Sequence, residues 1–536
     1  MATIGERPPS SRRIELASPQ IRRLPSVLPW LAAVLGAALR IRAYAYDRSL
    51  WSDEAMIALN ITHRGFRALM RPLAYSQGAP VGWLWAERAT VQLFGSGELA
   101  IRLVPFLAGL LSVLLFLLVA RRLLPAPLAA VAVLLFSVSP RLIYYASETK
   151  QYETDVLLLL LVIWLSLRFL ESRRAVAAAA WTGGSVLTVW SSHPGLFAVA
   201  AAGLALAGAA ALGRDRTLLL RVVAAGVATV LAVGAVYVVS LRQLAANLPL
   251  RLYWASGYVP LPLQARSTIS WLSSTATSLA MDPLGTGHVD LVILLAALGL
   301  FALLVNKRYF ALATFSLLGI AAVAAAAAQA YPLKGRPALY LVPVVLLLLV
   351  ASVRASLPLR RSGRRAAAAL LEAAIAVTVL VVVVPTVRSA AVEARTPTTV
   401  AELRPAMVYV AQHRRPGDLV LVHFAGALAA DYYAARLGVP INGALLLTPA
   451  GKKCGDAMTL VALAGHRRVW LLFGQDYSGE PVGRTRRYLA QFSRIGRVVM
   501  ARHERGDAGA YLVLLNDRLR SPDSVAGPCL TVQSVH

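Results

Sequence analysis

The run "VLLLLLVIWLSL", residues 156–167, contains no charged residue, and "LYLVPVVLLLLVAS", residues 339–352, matches it. Both have the polarity of bilayer-crossing helices, which need about 20 predominantly apolar residues to pass the hydrocarbon core. The 536-residue chain has the same character throughout: 58% of it is hydrophobic and 15% charged, with a mean hydropathy of +0.63. A soluble domain is about a quarter charged. The chain therefore reads as a mainly α, polytopic membrane protein. Its net charge of +28 raises the question of nucleic acid. The Lys and Arg residues, however, sit mainly in short loops between apolar segments, as topology selection requires, and that argues against a nucleic-acid partner.

The basic clusters order the spans. They are Arg12/Arg13 with Arg22/Arg23, Arg121/Arg122, Arg173/Arg174, Arg214/Arg216, Lys307/Arg308, and Arg360/Arg361 with Arg364/Arg365. Placing each in the cytoplasm predicts about eleven spans, near 24–43, 98–120, 125–143, 154–171, 175–192, 195–213, 217–240, 289–305, 309–330, 338–353 and 366–387. Residues 1–23 form a cytoplasmic tail. Its "SSRRIEL" has the look of a twin-arginine signal, but Arg40 and Arg42 close the following apolar segment and more spans follow, which fits a signal anchor. The segment 79–95 carries Glu87 and Arg88 at its centre. Two charges there would cost several kcal/mol in a span. It is expected to lie at the interface, within a first external loop of 44–97.

With this topology every unusually polar segment falls on the outer face. These are "WSDEA" (51–55), "SPRLIYYASETKQYETD" (139–155), "WSSHPG" (190–195), a loop of roughly 241–288, and "YPLKGRPALY" (331–340). Charged groups at membrane depth are costly and mark function by default, so their convergence predicts an externally facing site. From about residue 388 helix and strand signals alternate, with "RRVWLLFG" and "AYLVLLND" as buried strands. Residues 388–536 are expected to form an extracytoplasmic α/β domain. The only two cysteines, Cys454 and Cys529, fall in it as disulfide candidates. Because this domain is distant from Asp53 in sequence, its stability is expected to be separable from catalysis.

Asp53 and Glu54 are adjacent acids at the start of a helix, so their side chains point about 100° apart and suit different jobs. Asn60, His63, Arg64, Arg67 and Arg71 would continue that helix as the polar stripe of an interfacial amphipathic element. One reading of the acid pair is helix capping, worth up to about 1 kcal/mol. The other is general-base chemistry, which a carboxylate beside a lipid phase can perform. Arg42, Lys150, Lys334 and Arg336 lie at outer span ends, where such residues either anchor at the interface or bind lipid phosphate. His193 reads as structural, or as a donor contact or a divalent-metal ligand together with Glu54. Tyr144, Tyr145 and Tyr152 read as interface-belt aromatics or as sugar and prenyl contacts.

The order of an R-x-R span end, "LWSDEA", "GSGELAIRLVPFLAG", "SPRLIYYASETKQYETD" and "YPLKGRPALYLVP" resembles the GT-C integral-membrane glycosyltransferases. It is most similar to the bacterial branch related to protein O-mannosyltransferases and lipid A aminoarabinose transferases. The likeness spans roughly residues 25–355. It implies an inverting transfer of sugar from a polyprenyl-phosphate donor to an acceptor hydroxyl on a lipid, polysaccharide or protein, at the outer face of a bacterial cytoplasmic membrane. It further implies Asp53 as catalytic base, Glu54 as acceptor or metal contact, and Arg42, Lys150 and Arg336 near the donor phosphate. Pro337 stands where many relatives carry an aromatic. No cofactor is required by the residues, and a divalent metal is left open. The competing classes are a transporter of polyprenyl-linked lipids, which would place polar residues at mid-span, and a non-catalytic envelope scaffold.

Overall fold

A computed structural model describes residues 19–447, 463, 465–474, 484–505, 508–516 and 530–533. Cys454 and Cys529 lie outside the described residues, and so does the expected disulfide. Among the described residues, seven helices are long and apolar enough to cross a membrane: residues 27–45, Leu103–Leu123, Gly195–Leu212, 216–245, Tyr309–Ala327, 336–361 and Arg365–Arg395. Two shorter apolar helices, Ala126–Ser137 and Val289–Val305, pack among them. The remaining expected spans coincide with helices Tyr152–Ser172 and Ala175–Ser191. The first of these carries Glu153, Asp155, Arg168 and Glu171, and the second is 17 residues long. The result is a multi-pass helical bundle with a small C-terminal sheet.

Residues 79–95 contain the helix Val81–Phe94, of 14 residues. It carries Glu87 and Arg88 at its centre and is not one of the seven helices apolar enough to cross a membrane. It packs Trp83 and Leu84 against Ile57, Ile61 and Leu69 of the first loop. The acid-pair helix is Ser52–His63 and stops at Arg64, so the expected amphipathic extension through Arg71 does not form. Its inner residues Ile57, Ala58, Leu59, Asn60 and Ile61 are buried, and a turn replaces the extension. The Asn60 side chain accepts from Ala74 N at 2.9 Å and donates to Ala74 O at 3.3 Å, folding the chain back on itself.

The C-terminal sheet has six strands: β1 Leu419–His423, β2 Gly443–Leu447, β3 Arg468–Phe473, β4 Gly496–His503, β5 Gly509–Leu515 and β6 Leu530–Gln533. Their order is β4-β5-β3-β1-β2-β6. A parallel centre, β3-β1-β2, is flanked by antiparallel β5, β4 and β6. The helix before this unit runs to Arg395, past the expected boundary at 387, because "VRSAAVEAR" keeps strong helix formers to its end.

This unit does not stand apart. Leu50, Ala55, Ala58, Leu59 and Ile101 share one core with Leu403, Met407, Val420, Tyr433 and Trp470. Polar contacts reinforce it. Arg404 pairs with Asp47 and Glu98, each at 2.8 Å. Ser49 N and Oγ donate to Glu402, at 3.2 and 2.7 Å, and Leu50 N donates to the Tyr433 hydroxyl at 2.8 Å. Sequence distance misleads here: the segment carrying Asp53 is held by residues about 350 positions later.

Candidate active site

The tight turn of residues 146–151 joins Pro140–Tyr145 to Tyr152–Ser172 and delivers Glu148, Thr149 and Lys150 to the first turn of the Asp53 helix. Lys150 Nζ lies 3.1 Å from Asp53 Oδ1. From the start of the span 336–361, Arg336 Nη1 lies 2.6 Å from Asp53 Oδ2. Gln77 completes the ring: Lys150 donates to its Oε1 at 2.8 Å, and its Nε2 approaches Asp53 Oδ1 at 3.5 Å. The Arg336 guanidinium sits over the rings of Trp51 (5.8 Å), Tyr152 (5.7 Å) and Trp254 (5.5 Å). Four separate polar segments of the sequence therefore meet at one carboxylate. "WSSHPG" meets the helix Val81–Phe94 instead, with the Trp190 ring stacked 6.3 Å from that of Trp85.

Asp53 keeps 16% of its side chain exposed, whereas Glu54 is fully buried. Arg102 grips Glu54 with both arms, Nε to Oε1 at 2.9 Å and Nη2 to Oε2 at 2.7 Å. Thr149 N adds a bond to Oε1 at 2.9 Å. Burial pushes both carboxyls up, but their cations outweigh it. Lys150 and then Arg336 hold Asp53 at about 2, and Arg102 holds Glu54 below its ordinary range. Burial pulls Lys150 down, against the pull of Asp53.

The resemblance implied an acceptor or metal contact for Glu54, but in this geometry Arg102 and Thr149 take up both of its oxygens. Glu54 ties the Asp53 helix to Arg102 and the 146–151 turn. A divalent metal on Glu54 and His193 does not fit this donor set, and among the described residues no group of three His, Cys, Asp or Glu is placed to hold one. Burial pushes His193 down to about 4, leaving a neutral ring.

The other sequence candidates divide. Lys150 and Arg336 are at the site. Arg42 is not: it donates to the carbonyls of Ala394 and Arg395, closing the C-terminal end of the long last helix. Lys334 is bonded to Ser256 at 2.9 Å and is exposed there. The three tyrosines are buried rather than at a membrane belt. Their rings form a chain, Tyr144–Tyr145 at 5.1 Å and Tyr145–Tyr152 at 5.4 Å, which runs from Arg48, 4.1 Å over Tyr144, to Arg336.

Three site residues were not singled out in the sequence: Gln77, Arg102 and Glu148. Glu148 accepts from Trp51 Nε1 at 3.1 Å and is fully buried. Burial, and then the nearby Glu54 carboxylate, push it up to about 7. Two carboxyls whose surroundings drive them apart, Asp53 down and Glu148 up, are a hallmark of acid–base sites. The signal was available, since Glu148 lies two residues before Lys150 in the same polar segment, but a lone Glu in a loop says nothing of its depth.

With this geometry in view, the chain can be set beside known proteins. Residues 78–214 match the sequence pattern of the family described as "Dolichyl-phosphate-mannose-protein mannosyltransferase", in accord with the resemblance to GT-C membrane glycosyltransferases. No protein of curated function matches the chain in sequence. Among solved structures, the chain is similar to ArnT from Cupriavidus metallidurans in the apo state. The identity is 16% and the TM-score 0.48, over 93% of this chain and 100% of that one. The same protein bound to undecaprenyl phosphate gives 15% and 0.45, over 95% and 100%. The apo Archaeoglobus fulgidus oligosaccharyltransferase gives 12% and 0.48, over 79% of this chain and 65% of that one. At these scores the structural likenesses carry no argument.

Proposed function

We propose that this protein is an inverting glycosyltransferase that moves a sugar from a polyprenyl-phosphate donor to an acceptor hydroxyl at the outer face of a bacterial cytoplasmic membrane. One observation carries the reading: a single partly exposed carboxylate, Asp53, is held between two cations at the ends of apolar helices. Carboxylate and cations suit the two halves of the transfer. Asp53 takes the proton of the acceptor hydroxyl as its oxygen bonds to the anomeric carbon. The bond from that carbon to the donor phosphate oxygen breaks, and both electrons leave with the phosphate. Lys150 and Arg336 receive the departing phosphate charge, so no general acid is needed.

The low value of Asp53 fits a base that is switched on by its substrate. A carboxylate at about 2 is a weak base. When the donor phosphate draws Lys150 and Arg336 to itself, Asp53 loses the two cations that hold it down. Burial, which already pushes it up, then prevails. Basicity arrives with the donor, and an acceptor alone is not activated.

Purified protein in lipid nanodiscs, given a panel of radiolabelled polyprenyl-phosphate sugars with envelope lipid, polysaccharide and protein acceptors, tests the reading. We expect released polyprenyl phosphate and labelled acceptor, both lost in Asp53→Asn. Donor that crosses a bilayer intact, with no sugar released from any panel member, would establish the transporter instead. Labelling of a single cysteine at position 150 from outside intact cells tests the sidedness; labelling only after permeabilisation overturns it.

A further inference from the structure

The helix Leu103–Leu123 has 21 residues and so spans about 30 Å. Arg102, at its start, belongs to the site just described. At its far end a cavity of about 330 Å³ opens between the turn at 121–125, the turn at 306–308 and the segment Ser352–Ser356. Five cations line it: Arg121, Arg122, Lys307, Arg308 and Arg354. No carboxylate does. Apolar Leu123, Leu124 and Leu303 form part of the same wall.

Topology selection alone explains basic loops, yet it does not explain this arrangement. Arg354 is not in a loop; it lies within the helical end of the span 336–361 and is half-buried. Its Nε donates to Asn306 Oδ1 at 2.9 Å, fixing the guanidinium across the gap between two spans. Among the described residues its other two nitrogens have no hydrogen-bond partner in the protein, and neither do the side chains of Lys307 and Arg308. Of the five, only Arg122 meets an acid within the described residues, Glu171 at 3.3 Å, on the exposed side. Glu372, the acid on the neighbouring helix, gives both oxygens to Arg360, and Arg354 feels its charge without a bond to it. The outer end of the bundle behaves otherwise, since Lys150, Arg336 and Arg102 there each face a carboxylate. Five cations around one cavity, with only Glu171 and Glu372 acting on any of them, leave an excess of positive charge there that an anion would offset.

We propose that this cavity is a second ligand site, which binds a phosphate group on the membrane face opposite the catalytic one. Arg354, Lys307 and Arg308 would supply charge-assisted hydrogen bonds to phosphate oxygens. The leucine wall suits a ligand with an attached chain, as in an anionic phospholipid of that leaflet. A soluble phosphate ester offers the same anionic group without the chain. The bound phosphate would tie three spans together about 30 Å from Asp53, so it stabilises the bundle without taking part in transfer.

Full-length protein stripped of lipid in neutral detergent is the material for the test. It is titrated with phosphatidylglycerol, with phosphatidylcholine and with glycerol 1-phosphate, and bound species are counted by native mass spectrometry. We expect phosphatidylglycerol to bind at least about tenfold more tightly than phosphatidylcholine, each cation near a phosphate contributing on the order of 1 kcal/mol. Lys307→Gln and Arg354→Gln should each weaken it several-fold, whereas Arg266→Gln, outside the cavity lining, should not. Lys307 is exposed and without side-chain partners among the described residues, so its variant folds even if Arg354→Gln does not. Glycerol 1-phosphate binding as tightly as the lipid, with the same loss in Lys307→Gln, upholds the phosphate site and identifies its ligand as soluble. Equal binding of the two lipids without glycerol 1-phosphate binding, or equal losses in all three variants, overturns the proposal.

Discussion

Asp53 and Glu54 are neighbours in the chain and opposites in the fold. Glu54 is closed off, with Arg102 on both oxygens and Thr149 N on one. Asp53 faces a partly open ring of Lys150, Arg336 and Gln77. Helical geometry alone separates them, because adjacent residues point about 100° apart. Two adjacent acids can thus hold separate roles, one building the platform while the other stays available for chemistry. Arg102 is committed to Glu54, while in the proposed transfer Lys150 and Arg336 are drawn away by an incoming phosphate.

Glu54→Gln is the most damaging change. It leaves the Arg102 guanidinium buried without its counter-charge, which costs about 3–5 kcal/mol. The expected outcome is early thermal unfolding and low recovery of folded protein, read by a thermal melt of the purified variant. A melt unchanged from wild type would erase the contrast, since Glu54 would then not be structural. Asp53→Asn is the converse: a near-normal melt, with turnover reduced at least about a hundredfold. Normal turnover in this variant would return the pair to a helix-capping role.

Lys150→Gln probes the Asp53 side more finely. One charged hydrogen bond to the departing phosphate is lost, so turnover should fall about 10- to 100-fold. Asp53 also loses the first of the two cations holding it down, so the acid limb of kcat/KM should move upward in pH. In the wild type the Asp53 pairing contributes in full above about pH 4 and is lost as pH falls toward 2. An acid limb that stays in place would show that Lys150 does not set the Asp53 charge.

Glu148 has the opposite sign. Its folded-state value is about 7, above the ordinary 4.5, so the fold favours the protonated form. Stability should therefore decline as pH rises from about 4.5 through 7, and Glu148→Gln should flatten that slope in melts taken between pH 5 and 8. A slope identical in the variant would assign the titration elsewhere. The smallest effect is expected for Tyr433→Phe, which removes the hydrogen bond from Leu50 N, worth about 1 kcal/mol. Activity should fall a few-fold because the Asp53 helix loosens. No change in activity would restore the expectation that the C-terminal domain and the site are independent.

Membrane class was legible in the sequence without help, because apolar runs of span length announce themselves without any partner. So was a short, charged helix at residues 79–95, since Glu87 and Arg88 can be read without any partner. The Asp53, Lys150 and Arg336 segments could be read as one polar face, since loop charge sorts loops by side. Which charges meet was settled only on folding. Arg42 and Arg102 look alike in the sequence, yet one closes a helix end at Ala394 and the other holds Glu54. Folding also placed the C-terminal sheet against the Asp53 helix. Strand β4 leaves no alternating signal in the sequence because its exposed Val499 and Ala501 are as apolar as its half-buried Val498 and Met500. The physical reason is the same in each case. Hydropathy is a property of a segment and can be read locally, whereas an ion pair or a docked face depends on a partner whose position the chain fixes only when it folds.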